Sequence, residues 1–303
     1  MSIRLDGRVA VVTGAGNGLG RVYARYLSSL GAHVVVNDLG GKPDGTEQST
    51  RPADQVVEEI RAAGGKAAAS YHNVAEMEGA QGIAQTALDA FGRLDILVHN
   101  AGILRDKTLL KMEEADFRAV LDVHLMGGVF CTKAALPAMF EQGYGRIVLA
   151  TSSSALYGLF GQSNYAAAKL GLVGFANAVK FELERKGVLI NCVAPSAMTR
   201  LTEGLVEERM AVKMLPDFVA PAVAYLASEE CKFTGRIMTA GARHFALDQM
   251  MESAGVTFEG TAPITVDMLA DRIEEVADFS KATPFVSGHE QLLKITGEAS
   301  PKP

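Results

Sequence analysis

The chain is expected to be an α/β protein, a doubly wound seven-stranded parallel sheet with a C-terminal extension packed on the same domain. Three observations carry that expectation. Seven short β-branched runs alternate with segments mostly long enough for helices. The runs are apolar on both faces, as a sheet covered on each side requires. A glycine-rich turn follows the first run and opens a helix.

In order, the runs fall at residues 9–14, 33–38, 66–74, 94–102, 145–153, 188–195 and 235–241. Residues 39–53, rich in Gly, Pro and polar side chains, read as a long surface loop after the second strand. Beyond the seventh strand the chain carries an amphipathic helix at 265–277. The expected organisation is a nucleotide-binding and catalytic domain, 1–241, and an extension, 242–303, because about 60 residues make a marginal core alone.

Composition narrows the function. The 303 residues are 48% hydrophobic, enough for one large core plus a small appendage. A net charge of -6 without a long basic run argues against nucleic acid or an acidic membrane as the main partner. No run approaches 18 apolar residues, and neither end carries a secretory leader or a Ser-Lys-Leu address, so the default expectation is cytoplasmic. Cys131, Cys192 and Cys231 are too scattered for a disulfide framework or a metal site and read as buried thiols.

The turn TGAGNGLG places Gly14, Gly16, Gly18 and Gly20, with Asn17 and Leu19 between them, at the start of the first helix. The literal G-x-G-x-x-G spacing is absent, but glycines here allow a tight turn and close approach of a pyrophosphate to the helix N-terminus, as in Rossmann sheets. Asp38 ends the second strand, placed to accept from ribose hydroxyls and to repel a 2′-phosphate, so NAD is favoured over NADP. The competing readings are a turn without a ligand and an Asp that only forms a turn. Asn73 with Val74, and Asn100 with Ala101 and Gly102, end the third and fourth strands where they would edge the same crevice. Either Asn equally suits local backbone bonding, and Asn100 suits both roles by holding the loop against the cofactor.

In the stretch NYAAAKLG, Tyr165 and Lys169 stand four apart on one helical face, with Lys169 leaning back towards Tyr165. A free tyrosine titrates near 10, roughly three units too high for a base at neutral pH. The Lys169 charge and an oxidised nicotinamide are expected to lower it. Ser152, at the end of the fifth strand, is placed to hold a substrate oxygen, with Ser153, Ser154 and a plain loop as alternatives.

Together the glycine turn, Asp38, the Asn100–Gly102 triplet, Ser152 and the Tyr165/Lys169 pair resemble the short-chain dehydrogenase/reductase family. The resemblance implies NAD(P)-dependent hydride transfer at a secondary alcohol or ketone. It implies that Ser152 polarises the oxygen, Tyr165 moves the proton, and Lys169 tunes Tyr165 and holds the nicotinamide ribose. The family's asparagine position is His124 here, a relay candidate able to change charge near neutral pH, or a helix histidine bonded to a carbonyl. Pro195, expected to begin the loop after the sixth strand, and Thr199 fall where the family contacts the carboxamide. An N-cap is the alternative for Thr199. Residues 201–215 are expected to form an apolar lid. The narrower resemblance is to the dehydrogenase domain of peroxisomal multifunctional β-oxidation enzymes, which implies a 3-hydroxyacyl-CoA thioester or a hydroxysteroid as the small-molecule substrate.

The helix from 166 to 179 is apolar or small nearly all round, which a sheet alone cannot cover, so a homo-oligomer, dimer or tetramer, is expected. The competing functions are a carbonyl reductase for another ketone and a non-catalytic NAD sensor.

Overall fold

The computed structural model describes residues 3–46, 49–198 and 212–298. All seven expected runs form strands: β1 (Val9–Thr13), β2 (His33–Asn37), β3 (Ala67–Ser70), β4 (Ile96–His99), β5 (Gly145–Ala150), β6 (Val188–Ser196) and β7 (Ile237–Gly241). All pair in parallel. The sheet holds eight strands rather than seven, because β8 (His244–Asp248) adds beside β7 in the order β3-β2-β1-β4-β5-β6-β7-β8. Ala242 and Arg243 join β7 to β8 with φ of 49° and 65°. Left-handed conformation at both positions of a two-residue link is the hairpin turn that sends a strand back antiparallel. Neither residue is the Gly or Asn that announces such a turn, which is why the sequence hides it. β6 also runs on through Pro195, which faces Ala240 of β7, so Pro195 lies in the strand and not at the start of the following loop.

The helices are α1 (Gly18–Ser29), α2 (Arg51–Ala62), α3 (Met77–Phe91), α4 (Glu114–Leu121), α5 (Gly127–Gln142), α6 (Ser153–Tyr157), α7 (Ser163–Leu183) and α8 (Ala220–Leu226). A π-turn, Asp122–Met126, joins α4 to α5. Local rules set their ends. Pro52 sits in the first turn of α2, where its missing N–H costs nothing, and α3 stops at Gly92, whose φ of 76° only glycine adopts freely. Successive strand residues point to opposite layers. Ala10, Val12, Val34 and Val36 pack with Tyr23 and Leu27 of α1 and Val223 of α8. Val9, Val11, Val35 and Leu149 pack with Ile83 of α3, Met139 of α5 and Leu172 of α7. Each such side chain removed from water contributes about 1.5–3 kcal/mol.

The run Glu114–Gln142 is long and apolar enough to cross a membrane by length and composition, with a mean hydropathy of 1.4. Its Val120, Cys131, Ala135 and Met139 are buried in the core, so it is read as a core helix. Cys131, Cys192 and Cys231 are free and buried, as expected.

Contacts divide the chain into two compact units, Met1–Leu247 and Asp248–Pro303. The first unit therefore takes in the connection to β8. In the second, the expected helix at 265–277 is two short ones, α9 (Val266–Ala270) and α10 (Ile273–Val276), broken where Arg272 leaves helical geometry at φ −116°. The helix α11 (Gly288–Thr296) is capped by Ser287, and Lys294 donates to Glu252 Oε1 at 2.8 Å and to the Ser253 carbonyl at 2.6 Å.

At the amino ends of the strands Asp95 is fully buried and accepts from Arg8, Arg93 and the Val9 amide, at 2.9, 2.7 and 2.9 Å. Burial alone would raise its pKa, but these donors outweigh burial and hold it below the ordinary value. Such a group stabilises the fold above the ordinary carboxylate pKa near 4, and that stability is lost as pH falls through the lower folded value. Asp95→Asn is expected to cost about 3–5 kcal/mol in urea unfolding at pH 7 and to flatten the loss of stability below pH ~4. An unchanged midpoint at pH 7 would show that the cluster contributes nothing.

Candidate functional site

The carboxyl ends of β1 and β4 meet at the point where the strand order reverses, the usual ligand crevice of an open α/β sheet. Thr13 Oγ1 accepts from the amides of Asn100 and Ala101, each at 3.1 Å. Asn100 Nδ2 donates to the carbonyls of Thr13 and Gly14 at 3.3 and 3.2 Å, which is the loop-holding role expected of it. Gly14 and Gly18 have φ of 63° and 51°. A Cβ on Gly14 would lie 2.7 Å from Ala101 Cα, and one on Gly20 would lie 2.1 Å from the Gly14 carbonyl oxygen. The turn is thus a cradle that side chains would fill. Asp38 Oδ2 accepts from the Gly16 amide at 2.7 Å and Oδ1 from the Gly40 amide at 2.6 Å. An ionised carboxylate has about four acceptor positions, so capacity remains for a ribose hydroxyl.

These groups border a cleft of about 420 Å³. Gly14, Asn17, Gly18, Leu19 and Asp38 line one side, and Asn73, Val74, Asn100, Ala101 and Gly102 another. Asn73 also works locally, accepting from the Ala75 amide at 3.1 Å and donating to Glu76 at 2.8 Å. The loop after β2, expected to lie free on the surface, instead forms a wall of the cleft with Lys42, Pro43 and Gly45. Leu104 donates its amide to the Pro43 carbonyl at 2.9 Å, and Arg105 Nε donates to the Asp44 carbonyl at 3.0 Å. Polar composition marked this segment as a loop, but nothing in its pattern shows what it lies against.

Tyr165 and Lys169 occupy the first turns of α7, and Ser152 caps α6 by accepting from the Ser154 amide at 3.2 Å. Ser152 is buried and near enough to the Tyr165 phenol to lower its pKa, whereas Ser153 is exposed, which favours Ser152 among the serines. Lys169 is 3% exposed. Its Nζ donates to the Ala150 carbonyl at 2.6 Å and lies 5.7 Å from the centre of the Tyr165 ring.

The electrostatics differ from the sequence expectation. Burial pushes the Tyr165 phenol above 10, the Ser152 hydrogen bond draws it partly back, and the Asp106 carboxylate raises it again. Burial outweighs any pull from Lys169, which burial itself lowers to about 7.

His124 sits in the π-turn, buried, with its ring edge-on to Tyr165 at 5.2 Å and 88°. Its Nε2 lies 2.8 Å from the Ile103 carbonyl oxygen, and its Nδ1 is buried without a partner. A Cβ on Gly102 would lie 2.1 Å from His124 Cε1, so the glycine of the triplet makes room for this ring. Burial, with Lys169 nearby, holds the His124 pKa well below its ordinary value. The environment therefore favours the neutral ring, and Nε2 faces the Ile103 amide at 3.1 Å as well as its carbonyl. Thr199 and most of the expected lid, 201–211, lie outside the described residues.

Comparison with known proteins agrees with this geometry. The short chain dehydrogenase family model matches residues 8–210. Peroxisomal multifunctional enzyme type 2 of Drosophila melanogaster is 48% identical over 282 residues, covering 92% of this chain and 47% of the fly enzyme, so the chain spans about half of that relative. The full-length fly structure superimposes with a TM-score of 0.82 at 39% identity, over 97% of this chain and 50% of that one. A putative short-chain type dehydrogenase/reductase of Mycobacterium tuberculosis is 48% identical over 91% of this chain and 96% of its own length. A 7α-hydroxysteroid dehydrogenase structure, complexed with NADH and 7-oxo glycochenodeoxycholic acid, gives a TM-score of 0.71 at 28% identity, over 79% of this chain and 94% of that one. With a glycine cradle at the switch point and a serine, a tyrosine and a lysine gathered at the end of β5, the chain belongs to the short-chain dehydrogenase/reductase family and is an oxidoreductase.

Proposed function

We propose that the protein is an NAD-dependent dehydrogenase that interconverts a secondary alcohol and a ketone, with Tyr165 as its acid/base and a 3-hydroxyacyl-CoA or hydroxysteroid as substrate. The observation that carries the reading is the association of buried Ser152 and Lys169 with the half-buried Tyr165 at the carboxyl end of β5. The cradle fits a dinucleotide, whose pyrophosphate would rest on Gly14, Gly16, Asn17, Gly18, Leu19 and Gly20, while Asp38 would take the ribose. When bound, NAD supplies the hydride acceptor. A carboxylate at Asp38 favours NAD over NADP by repelling a second phosphate.

Ser152 holds the substrate oxygen by its hydroxyl. Tyr165 takes the alcohol proton in oxidation and returns it in reduction. With its pKa above 10, the phenol is protonated at neutral pH and ready as an acid. In the oxidative direction the base form grows with pH up to the folded pKa, so alcohol oxidation rises with pH. Lys169, as an ammonium, favours the phenolate and is placed to hold the nicotinamide ribose, with Pro195, Thr199, Asn73 and Val74 as further cofactor contacts. His124 packs against the phenol ring and orients it.

The thioester and steroid assignments rest on the fly relative, a peroxisomal enzyme by name, and on the steroid dehydrogenase. The proposed compartment is the cytoplasm. The fly, mouse and Neurospora crassa relatives are peroxisomal by name, which makes the peroxisome the competing compartment.

The proposed assembly is a homo-oligomer built on α7. Ala167, Leu170, Gly174, Ala178 and Phe181 form an exposed stripe of small and apolar residues along it, and a Cβ on Gly174 would meet nothing within 4 Å. The stripe gives two helices a seam for close approach.

Four outcomes are expected. Tyr165→Phe loses on the order of 10²–10⁴-fold in kcat while NADH binding persists. In an assay that follows NADH or NADPH absorbance, 3-hydroxyacyl-CoAs or hydroxysteroids turn over with NAD faster than with NADP. Turnover confined to small ketones would select a carbonyl reductase, and no turnover of any substrate would select an NAD-binding sensor. Lys169 has a folded pKa of about 7 against 10.5, so the stability it contributes is present above 10.5 and lost as pH falls towards 7. Lys169→Met should therefore melt at or above the wild-type temperature at pH 6–7, in differential scanning fluorimetry, while turnover collapses. Leu170→Glu should shift the mass measured by light scattering to that of a monomer, and an unchanged mass would remove α7 from the interface.

A further inference from the structure

β4 ends in a histidine that the reaction does not use. His99 is fully buried, and both ring nitrogens are engaged. Nδ1 lies 3.2 Å from Thr13 Oγ1, and Nε2 lies 3.0 Å from the carbonyl oxygen of His124. The protons on this chain can be assigned in order. Thr13 Oγ1 already accepts from the Asn100 and Ala101 amides at 3.1 Å. A hydroxyl has two acceptor positions and one proton, so the Thr13 proton is left for His99 Nδ1. Nδ1 is thus the acceptor, and the ring proton sits on Nε2, donated to the His124 carbonyl.

The surroundings support this state. Burial, with Lys169 adding repulsion, lowers the His99 pKa to about 3, so the ring is neutral at any working pH. Space is made for it by the two glycines that open α5. A Cβ on Gly127 would stand 3.1 Å from His99 Cε1, and one on Gly128 would stand 3.2 Å from Cδ2. Glycine inside a helix costs roughly 0.5–1 kcal/mol relative to alanine, and here the lost side chains admit an imidazole.

The two ends of the link differ in function. One is the Thr13 hydroxyl, on which the floor of the dinucleotide turn is built. The other is the backbone of the π-turn, whose His124 ring is set edge-on against Tyr165. We infer that His99 is a positioning residue, which as its neutral Nε2–H tautomer ties the dinucleotide turn to the π-turn and so sets where the His124 ring holds Tyr165. The inference rests on the reading of Tyr165 as acid/base.

Two measurements test it, one of them independent of turnover. In long-range ¹⁵N–¹H spectra of histidine-labelled protein, the signal lost in His99→Gln should show protonated Nε2 and bare Nδ1 from pH 5 to 8. An Nδ1–H tautomer, or titration near pH 6, overturns the link. For variants of wild-type-like circular dichroism, His99→Leu should lose on the order of 10- to 100-fold in kcat, the scale of a small misplacement, and should bind NADH more weakly by fluorescence. His99→Gln, which can still donate and accept, should recover most of both. A residue that only fills space gives the reverse order, with Leu near wild type and Gln worse, and that result overturns the inference. If His99→Leu does not fold, the tautomer and His99→Gln decide. Loss of activity in Tyr165→Phe with full activity in His99→Leu sinks the positioning role alone. An active Tyr165→Phe sinks the acid/base reading, and the tautomer then reports on the link by itself.

Discussion

One hydroxyl organises the centre of this molecule. Thr13 closes the carboxyl ends of β1 and β4 onto each other by accepting two amides from the strand that lies across the switch point. β1 and β4 are hydrogen-bonded neighbours, yet the chain between them leaves to build β2 and β3 on the far side. The crevice opens where those directions diverge, and without a tie it has no fixed floor. Asn100 adds its side chain to the carbonyls of Thr13 and Gly14, so the turn is held from the opposite strand rather than by its own residues. That is why the turn can be nearly all glycine and still keep one shape. Its own residues supply permissive backbone, and the neighbouring strand supplies the constraint.

Desolvation governs the chemistry beside it. Tyr165, Lys169, His124 and His99 are each moved towards their neutral forms by burial. A site of this kind holds little charge at rest, and charge appears only as a proton moves. Low dielectric then magnifies the pull of the Ser152 hydroxyl on Tyr165 and of any ammonium on Lys169, because neither is diluted by water. The cost is borne by the folded protein, which keeps an amine on a single carbonyl in its interior.

The sequence exposed what local rules control. Seven parallel strands, the glycine turn, Asp38 and the helical spacing of Tyr165 and Lys169 follow from periodicity and side-chain chemistry, and each was legible. What stayed hidden depends on partners distant in the chain. β8 follows a hairpin made by Ala242 and Arg243 in left-handed conformation, which no turn signature announces. His124 looked able to switch charge because its residue type can, but its burial is a property of the π-turn and of Ile103. The direction of the Tyr165 shift was misjudged for a similar reason. Spacing shows that Lys169 is near, while only the fold shows how far burial outweighs its field.

Residues 103–107 show how such distant contacts are distributed. Ile103 meets the His124 ring, Leu104 binds the Pro43 carbonyl, and Arg105 reaches Asp44 while its own carbonyl accepts from Asn164, beside Tyr165. Asp106 accepts from Gln162 at 2.7 Å, and Lys107 binds the Gly161 carbonyl at 3.0 Å. Five consecutive residues thus join the wall of the dinucleotide cleft to the start of the tyrosine helix. Ile103 alone among them is a buried apolar side chain, so the segment is held mainly by hydrogen bonds worth about 0.5–1.5 kcal/mol each. Spread over several partners, that stabilisation survives the loss of any one. The Thr13 hydroxyl carries three contacts on a single oxygen and does not. The molecule therefore concentrates its constraint beneath the glycine turn and disperses it over several partners along residues 103–107.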